Sequence, residues 1–537
     1  MLAKIFSNKL YTVGLSLVFL LFNLMLYLSF EMRGNLDFLP MTSEKFGVPQ
    51  RLHEKGIVPF YHGARGGWDG QFYYFIANDL LDKNMTSQFL DSQSYRYQRP
   101  GVGVWAWIGS IVLGKDWISP SFYLFSYILL FVVGCFSLAS LFEIYKVPLY
   151  WVFAWSSFVS TQVTIFNFLP DAGADCFLFI ALLCFLQKRK FLSSIAFSFA
   201  ILSREVYLLV PFLIFLFQVF TFVQEKRTYK NFYETIVSVI PGLVFLAWYS
   251  WLLQHFKTSP GAQAHGVFDW PLRSWLYYSV HAPTALGTLS LLSFLFIILI
   301  YLKLIPLVFR KNKDFWKWFF VSFGVISAVY LCFGEIVLTH WGGYLKPAAV
   351  YLFLIPMFHA VIQREISSKL KKFLFFFCIL SMLHLYFEKI ISKYPDTIYD
   401  GHYRLASNEQ VPDELSCLPK IPKVEIVKIS EEEFLYNKWL LKLFFRPEIK
   451  IYKFKVSNMS NETIPIAKHR GDISLIYHWQ HSGGNIKFAG PNHVRLPASL
   501  LPNQEITLDL PIVEPNQINE QSKLIVALNQ DGCDSQK

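Results

Sequence analysis

The side chains able to do chemistry crowd two neighbouring stretches. Gly66-Gly67-Trp68-Asp69-Gly70-Gln71-Phe72-Tyr73-Tyr74 is followed, after a short gap, by Tyr95-Arg96-Tyr97-Gln98-Arg99-Pro100. Asp69 has two readings. Asp is a favoured helix N-cap because its oxygen accepts free amides of the first turn, and Phe72, Phe75 and Ile76 recur behind it at helical spacing. A carboxylate is also the group that takes a proton from an attacking hydroxyl. Arg96 and Arg99 either pair with lipid headgroups or hold an anionic ligand, with Gln71 and Tyr97 beside them as candidate substrate contacts. A second set is scattered further along: Asp171, Asp175, Arg204, Glu205, His340, Tyr344 and Lys346. Fixed cations can hold a phosphate and stabilise it as a leaving group, while a carboxylate serves as base.

The elements that must carry these groups follow from composition. The chain has 537 residues, 54% hydrophobic and 16% charged, against roughly 25% charged in soluble domains. Uncharged runs occur at about 11–30, 119–142, 147–166, 172–187, 191–203, 206–224, 235–255, 285–302, 318–338, 347–363 and 373–387. The expected fold is therefore mainly α, a polytopic membrane bundle of about 11 spans. The first run lacks a small-x-small cleavage site and reads as an uncleaved span. Residues 101–114 are apolar but reach only roughly 21 Å, short of a ~30 Å hydrocarbon core. They either span or lie in the interface.

Positive charge decides between these. If 101–114 does not cross, the loops carrying Lys188-Arg189-Lys190, Lys226-Arg227-Lys230, Arg310-Lys311-Lys313-Lys317 and Arg364-Lys369-Lys371-Lys372 share a side with Lys4 and Lys9. That is the positive-inside arrangement, with the N-terminus cytoplasmic and the C-terminus outside. These segments hold 18 Lys/Arg against five acids, more than the whole chain's +11. The excess orients the chain, so a nucleic-acid partner is not expected. Only 13 residues separate Lys190 from Arg204, roughly 20 Å of helix, which leaves Arg204-Glu205 at or just within the outer membrane edge. Asp171 and Asp175 sit one helical turn apart at the same depth, where charges are costly and usually mark a site. Bland alternatives remain: Arg204 pairing with Glu205 or Asp175 to join helices, and Lys346 snorkelling to the interface. All the candidate residues nonetheless fall at the outer end. Such a set suits a reaction between a membrane-embedded lipid phosphate and a water-side acceptor.

Three regions are expected: 1–100, a first span and large outer loop with a juxtamembrane helix; 101–390, the bundle; and 391–537, a polar outer tail. In the tail, alternation over 473–479, a turn at Ser482-Gly483-Gly484, and further strands near 449–456, 506–510 and 524–526 predict a small all-β, sandwich-like domain. Cys417 and Cys533, in polar sequence on the expected oxidising side, are candidates for one disulfide.

Trp68-Asp69-Gly70-Gln71-Phe72-Tyr73-Tyr74 with Tyr95-Arg96-Tyr97-Gln98-Arg99-Pro100 resembles uncharacterised bacterial members of the GT-C glycosyltransferase superfamily, and Trp68-Asp69 is similar to the Trp-Asp of PIG-V mannosyltransferases. Leu202-Ser203-Arg204-Glu205 is similar to an Arg-Glu at a later outer helix end in related enzymes. The resemblance covers roughly residues 1–390. It implies an inverting hexosyltransferase of the bacterial inner membrane, drawing on a polyprenyl-phosphate-linked sugar and serving a glycan or lipid acceptor on the outer face. Asp69 would be the base and Arg204, Lys346 and Arg99 the donor-phosphate ligands. Arg96, Tyr97, Gln71, Asp171, Asp175, Glu205, His340 and Tyr344 would surround the substrates, and 101–114 would be a second juxtamembrane helix. No cofactor is required; an Asp-Asp or Asp-Glu pair that would favour a divalent metal is missing from the first-loop site. A weaker similarity links Tyr477-x-Trp479…Gly490…Arg495-Leu496-Pro497 to accessory β-domains beside bacterial polysaccharide enzymes. The rivals are a transporter or flippase, which should spread polar residues through the bilayer depth, and a polymerase or ligase of lipid-linked glycans, which usually carries its large outer loop late.

Overall fold

The computed structural model describes residues 8–31, 35–43, 45–57, 59–60, 67–80, 86–224, 229–263, 267–281, 285–309, 314–338, 341–386, 416, 418, 422–433, 448–465, 473–480, 486–496, 500–514 and 523–530. The chain divides into two compact units. Met1–Pro40 and Trp68–Leu385 form the first, and Met41–Gly67 and Tyr386–Lys537 the second. Cys417, Cys533 and His340 lie outside the described residues.

The chain is mainly helical. In order the helices are α1 (Lys9–Glu31), α2 (Gln50–Glu54), α3 (Gly70–Asn78), α4 (Gln93–Tyr97), α5 (Gly101–Val112), α6 (Pro120–Ile144), α7 (Tyr150–Ser157), α8 (Val159–Phe166), α9 (Asp171–Leu186), α10 (Lys190–Ser203), α11 (Leu209–Gln224), α12 (Tyr229–Phe256), α13 (Arg273–His281), α14 (Ala285–Val308), α15 (Asp314–Tyr330), α16 (Glu335–Leu338), α17 (Trp341–Leu345), α18 (Tyr351–Val361) and α19 (Ser368–Tyr386). Among the described residues five helical stretches are long and apolar enough to cross a membrane: Lys9–Leu28, Pro120–Ile144, Val237–Phe256, Gly287–Val308 and Gly343–Val361. A sixth is reached if α8 and α9, bent by 110° at their junction, count as one broken span. Other apolar runs of the sequence are helical but shorter, such as α10 and α15. Stripes of exposed apolar side chains, Phe125, Leu129, Val133 and Phe136 on α6 and Leu289, Leu292, Phe296 and Leu299 on α14, face away from the bundle at helical spacing, as in a membrane protein.

Local chemistry starts and stops these elements. Ser119 caps α6, its hydroxyl accepting from the Phe122 amide at 3.2 Å with Pro120 in the first turn. The α8–α9 break is held from inside. The Tyr127 hydroxyl donates to the Leu169 carbonyl at 2.6 Å and accepts from the Gly173 amide at 2.9 Å. Phe168 takes φ 54, which a side chain rarely adopts, and its ring packs on Tyr123 and Tyr74.

The bundle has two chemically distinct ends. At one, Lys9 pairs with Glu143 at 3.0 Å, the Trp316 indole donates to the Tyr145 hydroxyl at 2.6 Å, and Phe185 stacks on Phe315 at 4.3 Å. Those contacts gather the start of α1, the ends of α6 and α9 and the start of α15, beside the basic Lys188-Arg189-Lys190 turn. At the other end lie α3, α4, the start of α5, the α8–α9 break and the end of α10. Two glycines let these approach. A Cβ on Gly70 would come 1.8 Å from the Asn167 carbonyl oxygen, and one on Gly101 would come 2.2 Å from the Ser203 hydroxyl and 2.7 Å from the Phe199 carbonyl. The start of α3 therefore lies on the α8–α9 break, and the start of α5 lies on the end of α10.

In the second unit, β1 (Val424–Glu433), β2 (Glu448–Asn458) and β5 (Glu505–Glu514) form an antiparallel sheet in the order β1-β2-β5. A second antiparallel sheet joins β3 (Ile473–Gln480), β4 (Ile486–Arg495) and β6 (Lys523–Gln530) in the order β4-β3-β6. Tyr452, Phe454, Leu508 and Leu510 from one sheet and Ile473, Leu475 and Tyr477 from the other share one buried cluster, the period-2 alternation placing them on one face. Tyr477 is thus a core residue.

Replacing Gly70 by Ala forces its helix off the Asn167 carbonyl and should lower the apparent Tm of the purified protein, an overpacking cost of about 1–3 kcal/mol. Gly242→Ala, in α12 where nothing lies within 4 Å, should leave Tm unchanged or raise it. Thermal unfolding of the two variants side by side checks the contact.

Candidate active site

Asp69 precedes α3 but does not cap it: its side chain makes no bond to the helix amides. Its carboxylate instead accepts from Arg96 Nη2 at 2.9 Å, reaching across the loop to α4. Arg96, buried and lying over the Phe72 ring at 4.8 Å, is held mainly by Asp91, which takes Nε at 2.8 Å and Nη2 at 2.7 Å. Asp69 itself stays partly exposed. Desolvation works to raise its pKa, but the charges of Arg96, Lys346 and Arg99 outweigh that and hold the carboxyl at about 2. Lys346, nearly 280 residues away in the sequence, is thus within electrostatic reach of Asp69. The same surroundings bury Tyr73 and push its phenol up to about 12, leaving it a neutral donor.

Arg99 is bound into a bidentate pair. Its Nε and Nη2 donate to the two oxygens of Glu205 at 2.7 and 2.6 Å, and its guanidinium lies over Tyr95 at 4.9 Å. The pair joins the loop to the break between α10 and α11. Arg204, next to Glu205, points the other way. It is 8% exposed, its Nε stands 3.9 Å from Asp171, and its guanidinium lies over the rings of Tyr207 at 5.5 Å and Tyr330 at 5.8 Å. Arg204 Nη1 and the Tyr330 hydroxyl are both buried and have no hydrogen-bond partner among the described residues. A buried, unsatisfied donor costs about 1–3 kcal/mol, and more when charged.

The sequence-derived residues separate into two groups. Asp69, Arg96, Arg99, Lys346, Arg204, Glu205 and Asp171 meet at one end of the bundle through the contacts above. Others are turned inward. Asp175 is buried, accepting from Trp155 Nε1 at 3.1 Å and from the Tyr207 hydroxyl, so it supports the ring beneath Arg204. Tyr97 is buried against Trp251 and Phe256, its hydroxyl joined to Thr86 and its carbonyl accepting from Trp248 at 2.8 Å, and so anchors α4 to α12. Tyr344 is buried and meets His384 Nδ1 at 3.1 Å, and Gln71 is buried at the start of α3. Sequence reasoning missed Asp91, Tyr207 and Tyr330. Tyr207 could have been found one turn beyond Arg204; Tyr330, more than 120 residues away, carried no local signal. Among the described residues no group of three His, Cys, Asp or Glu could hold a metal ion.

No protein-family model matches this chain, and no curated protein matches it.

The Arg99–Glu205 pair should be worth measurable coupling. Arg99→Leu and Glu205→Leu should each lower Tm, and the double variant should lose less than the sum, with about 1–3 kcal/mol of interaction in a double-mutant cycle. The Asp69 carboxyl makes a second test. Its folded pKa lies below the ordinary 3.8, so its contribution to stability is present above about pH 4 and is lost as pH falls through 2. Infrared difference spectra of wild type minus Asp69→Asn should show a carboxylate band persisting below pH 3. In Arg96→Met the band should disappear at a higher pH, because the largest opposing charge is gone.

Proposed function

We propose that the chain is a polytopic membrane glycosyltransferase of the GT-C type, with about 11 spans, that moves a sugar from a polyprenyl-phosphate donor to a glycan or lipid acceptor on the outer face of a bacterial inner membrane. The observation carrying this reading is the buried Arg204, whose Nη1, like the Tyr330 hydroxyl beside it, has no hydrogen-bond partner among the described residues and lies at the same end of the bundle as the Asp69 carboxylate. An anion binding there would satisfy both donors. The short α10 and α15 cross as part of the bundle rather than as isolated spans, and the β unit packs its two sheets as a small sandwich in the periplasm.

Transfer breaks the bond from the sugar anomeric carbon to the lipid phosphate oxygen and forms one to the acceptor oxygen, with inversion. The acceptor proton goes to Asp69, and the lipid phosphate leaves with its electron pair, stabilised by Arg204, Lys346 and the neutral donor Tyr330. Arg99 contributes by clamping the loop through Glu205 rather than by holding phosphate directly. Arg96 poses the chief energetic question, since a carboxyl at about 2 is a weak base. Asp91 already takes two of the contacts from Arg96, so it can keep the guanidinium when an acceptor hydroxyl draws Asp69 away. Asp69 then regains basicity only with acceptor bound. A transporter is the less favoured reading, because the candidate site residues collect at one end of the bundle rather than through its depth.

Asp69→Asn should abolish transfer of sugar from a polyprenyl-phosphate hexose to acceptor in proteoliposomes, with membrane insertion retained and Tm lowered only by the loss of the Asp69–Arg96 pair. Arg204→Met should raise the donor KM by at least 10-fold. Normal transfer by Asp69→Asn would sink the assignment.

A further inference from the structure

A concave site lies near the same end of the first unit, about 590 Å³ in volume and lined by Phe268, Asp269, Arg273, Ser274, Tyr277 and Tyr278. That volume falls in the roughly 300–1,000 Å³ range of small-molecule sites. Its walls are pinned by backbone. The Asp269 amide donates to the Cys332 carbonyl, that of Leu272 to Leu331, and that of Gly334 to Val267, each at 2.8 Å, with Phe268 and Phe333 forming a β-bridge. Asp269 is oriented by the Ser274 hydroxyl at 2.6 Å and the Trp270 amide at 2.8 Å. Arg273 stands 3.5 Å from Asp269 and is otherwise open, its side chain 72% exposed. Tyr277 and Tyr278 meet edge to face at 4.9 Å, and Tyr277 is 54% exposed.

The lining matches a neutral saccharide. A sugar ring has an apolar C–H face that lies on an aromatic ring and a rim of hydroxyls that both donate and accept. Tyr277 offers the ring, Asp269 accepts and Arg273 donates. One acid and one base side by side leave the cleft without net charge, which disfavours a lipid phosphate. The cleft also adjoins the site above. Trp275 of α13 donates from its indole to the Tyr330 carbonyl at 3.0 Å, and the Tyr330 ring carries the Arg204 guanidinium. We infer that this cleft binds a neutral oligosaccharide and serves as the outer subsite of the acceptor glycan. The acceptor role rests on the transferase reading; the saccharide binding does not.

The full chain in nanodiscs of zwitterionic lipid would be titrated with three probes, mannotriose, galactotriose and N,N′,N″-triacetylchitotriose, by saturation-transfer NMR and calorimetry. At least one should bind, with Kd raised 10-fold or more in Tyr277→Ala and in Arg273→Ala. Tm of the two cleft variants should match the wild type, since both side chains are exposed. Binding of none of the probes, binding indifferent to Tyr277 and Arg273, or displacement of the probe by dioctanoyl phosphatidylglycerol would overturn the inference. In the transfer assay the cleft variants should raise acceptor KM with donor KM unchanged. Transfer retained by Asp69→Asn would remove the catalytic reading alone and leave the binding result standing.

Discussion

The candidate site depends on the bidentate pair between Arg99 and Glu205. Residues 86–100 have few regular elements of their own, only a short turn and the five-residue α4, so nothing local can fix where Arg96 and Arg99 point. Glu205 lies at a break between two helices, where backbone polarity and a carboxylate can coexist at a helix end. Joining two charged groups there removes both from water, a cost that is offset only by good geometry; two parallel short bonds supply it. Once the pair is made, Arg96 is presented to Asp69 and Asp91, and Arg204 is turned toward Asp171, Tyr207 and Tyr330.

Glycine contacts make that pair reachable. The start of α3 must lie against the Asn167 carbonyl, and the start of α5 against the end of α10, at distances no Cβ permits. The α8–α9 break supplies the surface on which α3 rests, and Tyr127 keeps the break in place by using its hydroxyl as donor and acceptor at once. Among the described residues, Arg204 Nη1 and the Tyr330 hydroxyl are among the buried groups left without a hydrogen-bond partner. A fold that satisfies Asp175 with two partners could have satisfied these also.

Much of the organisation is legible in the sequence. Helices recur where uncharged runs predict them, residues 101–112 form a short helix, and the four best-patterned tail segments are strands. Lys9 meeting Glu143 agrees with placing their loops on one side. The candidate residues themselves are recognisable by type: Asp69 stands in a long loop dense in aromatic and Arg residues, and an Arg-Glu at the end of a 14-residue helix departs from what a lipid-facing span tolerates. Their pairing was not legible. By pattern Asp69 reads equally as a cap and Arg204 as a partner of Glu205 or Asp175, whereas Glu205 pairs with Arg99 and Arg204 stands 3.9 Å from Asp171. Neighbours in sequence at a helix break point in different directions, so spacing alone misassigns them.

The sequence by itself determined the solvent, the helical character, the two ends of the bundle and the short list of charged groups, because hydropathy and charge act residue by residue along the chain. Tertiary structure alone decided which of those groups meet. It placed Lys346 within electrostatic reach of Asp69, put Tyr330 under Arg204, turned Asp175 and Tyr97 inward as supports, and built a separate cleft around Asp269 and Arg273. Those outcomes depend on contacts between segments far apart in the chain, set by packing at close-approach glycines and by the cost of leaving a buried charge unpaired, and neither is written in any local pattern.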